Sequence, residues 1–418
     1  MKYIFIIGII VGPKSNSFLR LKKQLSEIFD SELLFVICRF GFKEEFFDEI
    51  PNEPEIFEYL IAPNKKSICE MRNEVQYRLA IKMKEFDNSI GFVLDEDLEV
   101  KELFINQENE FDFKKENLKE LIIENKNKKM DASVVKITGD PPIPKSYCQS
   151  GQLKDIISIL NHLLENDPNL NYSFPFCKLQ EEIFIFSNLY HDILCLENKY
   201  EKVIDITKNK NIKNSEVFEL ILNGISLIKS GKSFTRNLIH HNNQNKITRG
   251  GAFIVYNPEV LLNAKNRSMI YKGAHSRRSD MIMIIEALKK GFLINTVQLP
   301  FNHSRESYQY ESEPTKVLMD CIGHALVYSQ NGGIFINELK VRINLSLENV
   351  KRTQVLTEKI RYTLINIKNN LFSDILSNYD LEVNRNLMNI DNSLAFVKKE
   401  LEEVELENVL LAYKNWNL

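Results

Sequence analysis

The first hundred residues alternate short apolar runs with stretches whose apolar residues recur at helical spacing. Two stretches carry the helical stripe, "SNSFLRLKKQLSEIF" and "SICEMRNEVQYRLAIKMKEF". The runs around them are too short for helices and are typical of strands: "YIFIIGIIV", "ELLFVICRF", "EIFEYLIAP" and "SIGFVLDED". Strands that alternate with helices predict an α/β fold built on a doubly wound, mostly parallel sheet.

The same alternation returns later in the chain, after a long stretch of helical patterns. "RGGAFIVYN", "MIMIIEALKKGF" and "LINTVQLPFNH" predict strand, helix and strand. Beyond them the pattern is almost wholly helical. We therefore expect a core domain over 1–312, with a partly helical insertion over about 100–245, and a helical C-terminal extension over 313–418.

One predicted strand runs directly into acidic residues, in "IGFVLDEDLE" (90–99). A buried strand normally avoids carboxylates, because an ionised carboxylate loses several kcal/mol of hydration unless a positive group meets it. Either this strand end reaches water, or Asp95 and Asp97 hold a cation. In doubly wound sheets ligands bind outside the carboxyl ends of the strands, which favours the second interpretation.

Composition narrows the class of protein. The chain has 54 basic and 57 acidic side chains, so its formal charge of -3 gives no support for nucleic-acid binding. The six cysteines include no CxxC pair, which indicates reduced thiols in a cytoplasmic protein. The N-terminal "MKYIFIIGIIVGPKS" lacks a small-residue cleavage site, so we interpret it as a strand followed by a turn rather than as a signal peptide. No run reaches the roughly 18 apolar residues that a membrane span requires.

Five short motifs combine unusual residues, and each has an ordinary structural reading when it is taken alone. A D-x-D triplet can be a solvated turn, a Gly-Gly pair can be a turn before a strand, and Ser-Asp can simply begin a helix. "IHHN" (239–242) is read as surface histidines. In chain order the five are Arg72-Asn73, "VLDED", "RGGAFIVYNPEVL", "RRSDMIMIIEALKKG" and "VQLPFNH".

In this order and spacing the motifs resemble the GT-A glycosyltransferases, in particular the family 2 type that uses nucleotide-sugar donors. The resemblance covers roughly residues 1 to 310, with an unmatched piece between about 100 and 245. It implies a GT-A-type sheet with helical insertions. It also implies transfer of a sugar from a nucleotide-diphosphate donor, with a UDP-sugar as the first expectation, to an acceptor hydroxyl that the sequence does not identify.

The resemblance implies a metal site at the end of the acidic strand. Mn²⁺ or Mg²⁺ would neutralise the departing diphosphate. Alternate residues of a strand point to opposite faces, so Asp95 and Asp97 can share a cation only where the strand turns into a loop. We expect Asp97 to be the more direct ligand, Asp95 to bind ribose or the metal through water, and His303 to be a third ligand. An imidazole ligand favours Mn²⁺.

Donor binding and the catalytic base are implied for the remaining motif residues. Asp280 matches the position of the base in inverting members, which takes the proton of the acceptor hydroxyl. This chain departs from the family there, because the usual Glu-Asp pair is Ser279-Asp280 and two arginines precede it. The arginines would lower the pKa of Asp280 if they contact it, or bind donor phosphate or an anionic acceptor. The donor-binding candidates are Arg72, Asn73, Asp95, Gly250, Gly251, Arg277 and Arg278.

Two other classes of protein remain open at the level of sequence. A nucleotidyltransferase would share the sheet and the metal carboxylates, but "GIIVGPKSNS" is a poor match to its Gly-rich, basic first loop. A non-catalytic relative would use its helical segments for assembly. The C-terminal helices have mixed Glu/Lys faces, which suit packing or homo-oligomerisation better than a membrane surface.

Overall fold

The computed structural model describes thirteen stretches of the chain. They divide into two compact units, one comprising 1–138, 239–308 and 326–333, and the other 139–238, 309–325 and 334–418. The described stretches are 3–12, 15–29, 32–40, 49–61, 67–100, 103–104, 112–113, 118–139, 144–171, 213–230, 252–303, 313–367 and 371–416.

The described residues form twelve strands and eleven helices, numbered here in chain order. The strands are β1 Ile4–Ile10, β2 Leu33–Phe40, β3 Ile56–Ile61, β4 Ser89–Asp95, β5 Leu98–Val100, β6 Leu103–Phe104, β7 Asp112–Phe113, β8 Ala132–Gly139, β9 Ala252–Val255, β10 Ile270–Tyr271, β11 Ala274–His275 and β12 Ile294–His303. The helices are α1 Asn16–Phe29, α2 Ile68–Met83, α3 Leu118–Asn127, α4 Lys145–Leu164, α5 Asn214–Ser230, α6 Glu259–Asn263, α7 Ser279–Lys289, α8 Glu313–Gln330, α9 Phe335–Ile367, α10 Ser373–Glu402 and α11 Leu406–Trp416.

The first unit is built on an eight-stranded sheet with the order β3-β2-β1-β4-β9-β8-β12-β5. Its first four strands are all parallel. Strand β9 is antiparallel to both β4 and β8, so β8 runs in the same direction as β4. The short edge strand β5 is antiparallel to β12. The predicted α/β class with a mostly parallel sheet is confirmed, and the architecture is consistent with the GT-A type.

Helices cover both faces of this sheet, as the near-continuous apolar composition of its central strands requires. On one face, Phe5, Ile7 and Ile9 of β1 belong to a buried cluster that includes residues of α1 and α3. On the other face, Ile6 belongs to a cluster that includes residues of α2, α6 and α7. The alternation along β1 is the two-residue period of a strand, so one sequence run supplies two cores.

The second unit is helical, and its described core comprises α4, α5, α9 and α10 in mutual contact. Polar side chains are buried within it. The carboxylate of Glu313 accepts hydrogen bonds from the backbone N–H and the hydroxyl of Ser146, both at 2.9 Å, and the Asn349 side chain donates to the Ser146 carbonyl at 2.9 Å. Asp391 of α10 accepts from the Thr357 hydroxyl of α9 at 2.6 Å. These bonds satisfy groups that burial would otherwise penalise.

Within the described part of the chain, no helix combines the length and the apolar character needed to cross a bilayer.

Gly91 of β4 lies against the side chain of Met83, the last residue of α2. A Cβ atom at this position would lie 2.4 Å from the Met83 sulfur, whereas a Cβ at Gly8 of β1 would lie 3.1 Å from its nearest side-chain atoms. We expect Gly91→Ala to lower the free energy of unfolding by about 1–3 kcal/mol through overpacking. Gly8→Ala is the matched control and should cost less. Urea denaturation followed by circular dichroism measures both, and an equal or reversed ranking would contradict the packing described here.

Candidate functional site

The acidic motif lies where the central strand β4 ends. The strand stops at Asp95, residues 96 and 97 form a turn, and β5 begins at Leu98. This is the break in the strand that two carboxylates one residue apart would need in order to face one site. His303, the last residue of β12, pairs with Leu98 across the β5–β12 ladder, so its backbone lies about 5 Å from the residue that follows Asp97.

Arg72 connects this strand end with a second acidic residue. Its guanidinium donates a hydrogen bond to Asp95 at 3.3 Å, and both side chains are partly exposed. Burial lowers the pKa of Arg72, but the charges of Asp95 and Asp280 outweigh this effect, so that the pKa is raised above its usual value. The structure therefore brings together Arg72, Asp95 and Asp280 from three distant parts of the chain.

Local sequence explains where α2 begins, and so where Arg72 lies. Ser67 caps the helix: its hydroxyl accepts from the Glu70 N–H at 3.2 Å, and the Glu70 carboxylate accepts from the Ser67 N–H at 2.7 Å. This reciprocal pair is the capping box of an S-x-x-E sequence. Arg72 lies in the first turns after this cap.

Asp280 lies in the first turn of α7. A negatively charged side chain at this end of a helix stabilises the helix through its dipole. Arg278 occupies the cap position in the left-handed conformation, with φ 68°, and is 4% exposed. Its guanidinium lies 3.7 Å from the sulfur of Met281. Arg277 is half-buried.

The side chain of Asn73 links α2 to the backbone of Asn266. Its side-chain carbonyl accepts from the backbone N–H of Asn266 at 2.8 Å, and its amide donates to the Asn266 carbonyl at 3.0 Å. The Asn266 side chain donates in turn to Gln76 at 3.0 Å. Helix α2 is thus fastened to the segment that leads into α7, and the Asn73 amide is already engaged in that contact.

Sequence reasoning missed a second polar group at the same end of the sheet. Glu96 accepts a hydrogen bond from the Gly12 N–H at 3.1 Å, just beyond β1. Arg39, at the end of β2 and 3% exposed, points a guanidinium nitrogen at the Gly12 carbonyl at 3.4 Å and lies 3.7 Å from Glu58 of β3. The signal available was the position of Glu96 between the two aspartates, but nothing local indicates that it turns back to β1.

Some predicted site residues lie outside what the structure describes. Gly250 and Gly251 precede the described start of β9, and for His303 only the backbone is described. Within the described residues, no group of three His, Cys, Asp or Glu side chains is arranged to hold a metal ion. The donors at the turn, Asp95 and Asp97, are carboxylates, the ligand type that Mg²⁺ and Mn²⁺ prefer. The donor chemistry therefore fits a divalent cation.

Comparisons with known proteins find similarity among solved structures only. No protein-family model matches the chain, and no curated protein matches it. Among solved structures, it is similar to the crystal structure of S. aureus TarS 1-349, with 11% sequence identity and a TM-score of 0.33, over 100% of this chain and 91% of that chain. At this TM-score the likeness supports no conclusion about activity.

Glu96 offers a test of the missed group. Burial raises the pKa of Glu96 against the opposing effects of the Gly12 hydrogen bond and Arg39. Because the folded state binds this proton more tightly than the unfolded chain, ionisation of Glu96 costs stability as the pH rises. Glu96→Gln keeps an acceptor for the Gly12 N–H without the charge. The melting temperature of this variant, relative to that of the wild type, should therefore rise as the pH increases from about 4 to about 7.

The matched variant for this test is Glu96→Leu, which leaves the Gly12 N–H without an acceptor. Its melting temperature should be lower than that of Glu96→Gln across the whole pH range, which corresponds to a loss of about 1–3 kcal/mol in the free energy of unfolding. If the difference in melting temperature between the wild type and Glu96→Gln is the same at every pH, burial does not raise the pKa of Glu96.

Proposed function

We propose that the chain is a glycosyltransferase that moves a sugar from a nucleotide-diphosphate donor, with a UDP-sugar as the first candidate, to an acceptor hydroxyl. The observation that carries the proposal is the contact of Arg72 with Asp95 at 3.3 Å, with the charge of Asp280 also acting on Arg72, at the carboxyl end of a mostly parallel sheet. These residues belong to three of the motifs whose order resembles the family 2 GT-A enzymes, and ligands of such sheets bind at this end.

Asp280 is proposed as the general base. An acceptor hydroxyl is a poor nucleophile, so a carboxylate within hydrogen-bond reach must take its proton while the oxygen attacks the anomeric carbon. As the new carbon–oxygen bond forms, the bond to the diphosphate breaks on the opposite side, which inverts the anomeric carbon. Asp280 lies in the first turn of α7, and its charge acts on the guanidinium of Arg72, the proposed diphosphate ligand.

Arg72 is proposed to bind the diphosphate. Guanidinium donors match phosphate oxygens in a fixed, planar geometry. The pairing with Asp95 holds the Arg72 head group at the strand end before a donor arrives, so less side-chain freedom is lost on binding. The charge of Asp280 also acts on this guanidinium, which supports a diphosphate ligand close to the proposed base.

Asp97 and Asp95, with His303, are proposed to hold Mn²⁺ or Mg²⁺. When bound, the ion would supply positive charge for the leaving diphosphate. Because Asp95 already contacts Arg72 at 3.3 Å, Asp97 is the better candidate for the direct ligand.

The proposal is tested by nucleotide release. Purified protein is incubated with UDP-, GDP- and TDP-sugars plus Mn²⁺, and release of the nucleoside diphosphate is followed. Asp280→Asn removes the base with little change of shape and should lower transfer about 10²–10⁴-fold. Asp97→Asn should lower it too, and added Mn²⁺ should partly restore the rate if the ion is still bound.

Asp87→Asn is the control, because Asp87 is exposed and lies just before β4, at the opposite end of the strand from Asp95. It should leave the rate unchanged. The chain is a non-catalytic relative if no donor releases nucleotide, if calorimetry detects no donor binding, and if Asp97→Asn changes neither result. Release of pyrophosphate from a nucleoside triphosphate would instead identify a nucleotidyltransferase.

A further inference from the structure

The segment between α6 and α7 is rich in cations. No aspartate or glutamate occurs between Glu259 and Asp280, although the chain as a whole contains more acidic than basic residues. His275 also lies in this stretch. The five cations of the segment are Lys265, Arg267, Lys272, Arg277 and Arg278.

The segment presents some of these charges to solvent on a defined scaffold. Its middle is the hairpin of β10 and β11, with Lys272 and Gly273 at the turn. Arg267 and Lys272 are exposed. Of the three non-glycine residues with positive φ in the described chain, two are cations of this segment, Lys272 at 48° and Arg278 at 68°. Such positions usually take glycine or asparagine, so two charged side chains stand there at a conformational cost.

The segment is also held close to the candidate site. Asn266, 3% exposed, is fastened through its backbone to Asn73, the residue next to Arg72. At its other end the segment runs directly into Ser279 and Asp280. Both ends of the cationic stretch are therefore joined to the elements that carry the proposed diphosphate ligand and the proposed base.

Among the described residues, the acidic side chain of Glu286 contacts the segment, and its charge is already compensated. Glu286 of α7 accepts from the Lys265 backbone N–H at 3.2 Å and pairs with Lys290 at 2.7 Å. Burial raises the pKa of Glu286, but these two bonds, with Arg267 a smaller contributor, bring it below the usual value. The carboxylate of Glu286 therefore interacts with Arg267 but already pairs with the closer Lys290. The segment keeps an excess of positive charge.

We propose that the segment 264–278 binds an anionic acceptor glycan, one that carries sulfate, phosphate or carboxylate groups. This proposal rests on the proposed function, because it places the acceptor beside Asp280. The two exposed cations, Arg267 and Lys272, on the segment that leads into Asp280 would attract such a substrate and orient it before the reaction. A membrane surface is the less favoured partner, since Ile270 is the segment's one large exposed hydrophobic side chain and an interfacial element needs an apolar face.

The test measures binding without any donor. The probe is a fluorescein-labelled sulfated tetrasaccharide, its desulfated form is the comparison, and affinity is read from fluorescence anisotropy. The sulfated probe should bind at least about tenfold more tightly, and added salt should weaken it. The double variant Arg267→Gln/Lys272→Asn should lose about tenfold or more in affinity for it. Asparagine is chosen at 272 because it tolerates positive φ.

The control variant is Lys23→Gln/Lys128→Asn, which removes two exposed cations of the same unit outside the segment. It should bind the probe within about twofold of the wild type. Equal binding of the sulfated and desulfated probes, or an equal loss in both double variants, overturns the proposal. So does binding to phosphatidylglycerol vesicles that requires Arg267 and Lys272 when the sulfated probe does not bind.

The outcomes separate this proposal from the proposed function. If donors release nucleotide but the sulfated probe binds no better than the desulfated one, the acceptor class is wrong and the glycosyltransferase assignment stands. If the sulfated probe binds through Arg267 and Lys272 but no donor is turned over, the assignment as a glycosyltransferase fails and with it the acceptor role. The segment would then be an anion-binding surface only.

Discussion

The contact between Arg72 and Asp95 is the interaction on which the candidate site depends. Strand β4 is buried between β1 and β9, and carboxylates at its end would lose several kcal/mol of hydration if they were left uncompensated. The guanidinium at 3.3 Å supplies that compensation. The same group is near enough to Asp280 for that carboxylate to raise its pKa, so one cation joins the end of β4 to the start of α7.

Other polar contacts at the same edge of the sheet also join separate elements. Glu96 ties the turn after β4 to the backbone beyond β1, while the buried guanidinium of Arg39 offsets part of its charge. The bond between Asn73 and Asn266 joins α2 to the segment before α7. Polar bonds of this kind are directional, which apolar packing is not, so they can set the relative positions of elements that the hydrophobic clusters only hold together.

Much of the fold could be predicted from the sequence because its signals are local. The apolar run of β1, the S-x-x-E cap of α2 and the apolar run that ends at Asp95 depend on neighbours within a few residues. The strand direction could also be inferred, since helices between strands require parallel pairing. What had no local signal was the antiparallel β9 between β4 and β8, and the placement of β5 beside β12 instead of beside β4.

The sequence by itself determined the α/β class, the strand that ends in acidic residues, and the separate motifs that contain Arg72, Asp95 and Asp280. Only the tertiary structure decided that Arg72 contacts Asp95 and that the charge of Asp280 acts on Arg72, that the Asn73 amide is used to fasten α2, and that Glu96 turns toward β1. The reason is physical. Periodicity and capping are properties of adjacent residues, whereas a contact between residues about two hundred positions apart depends on how whole elements pack.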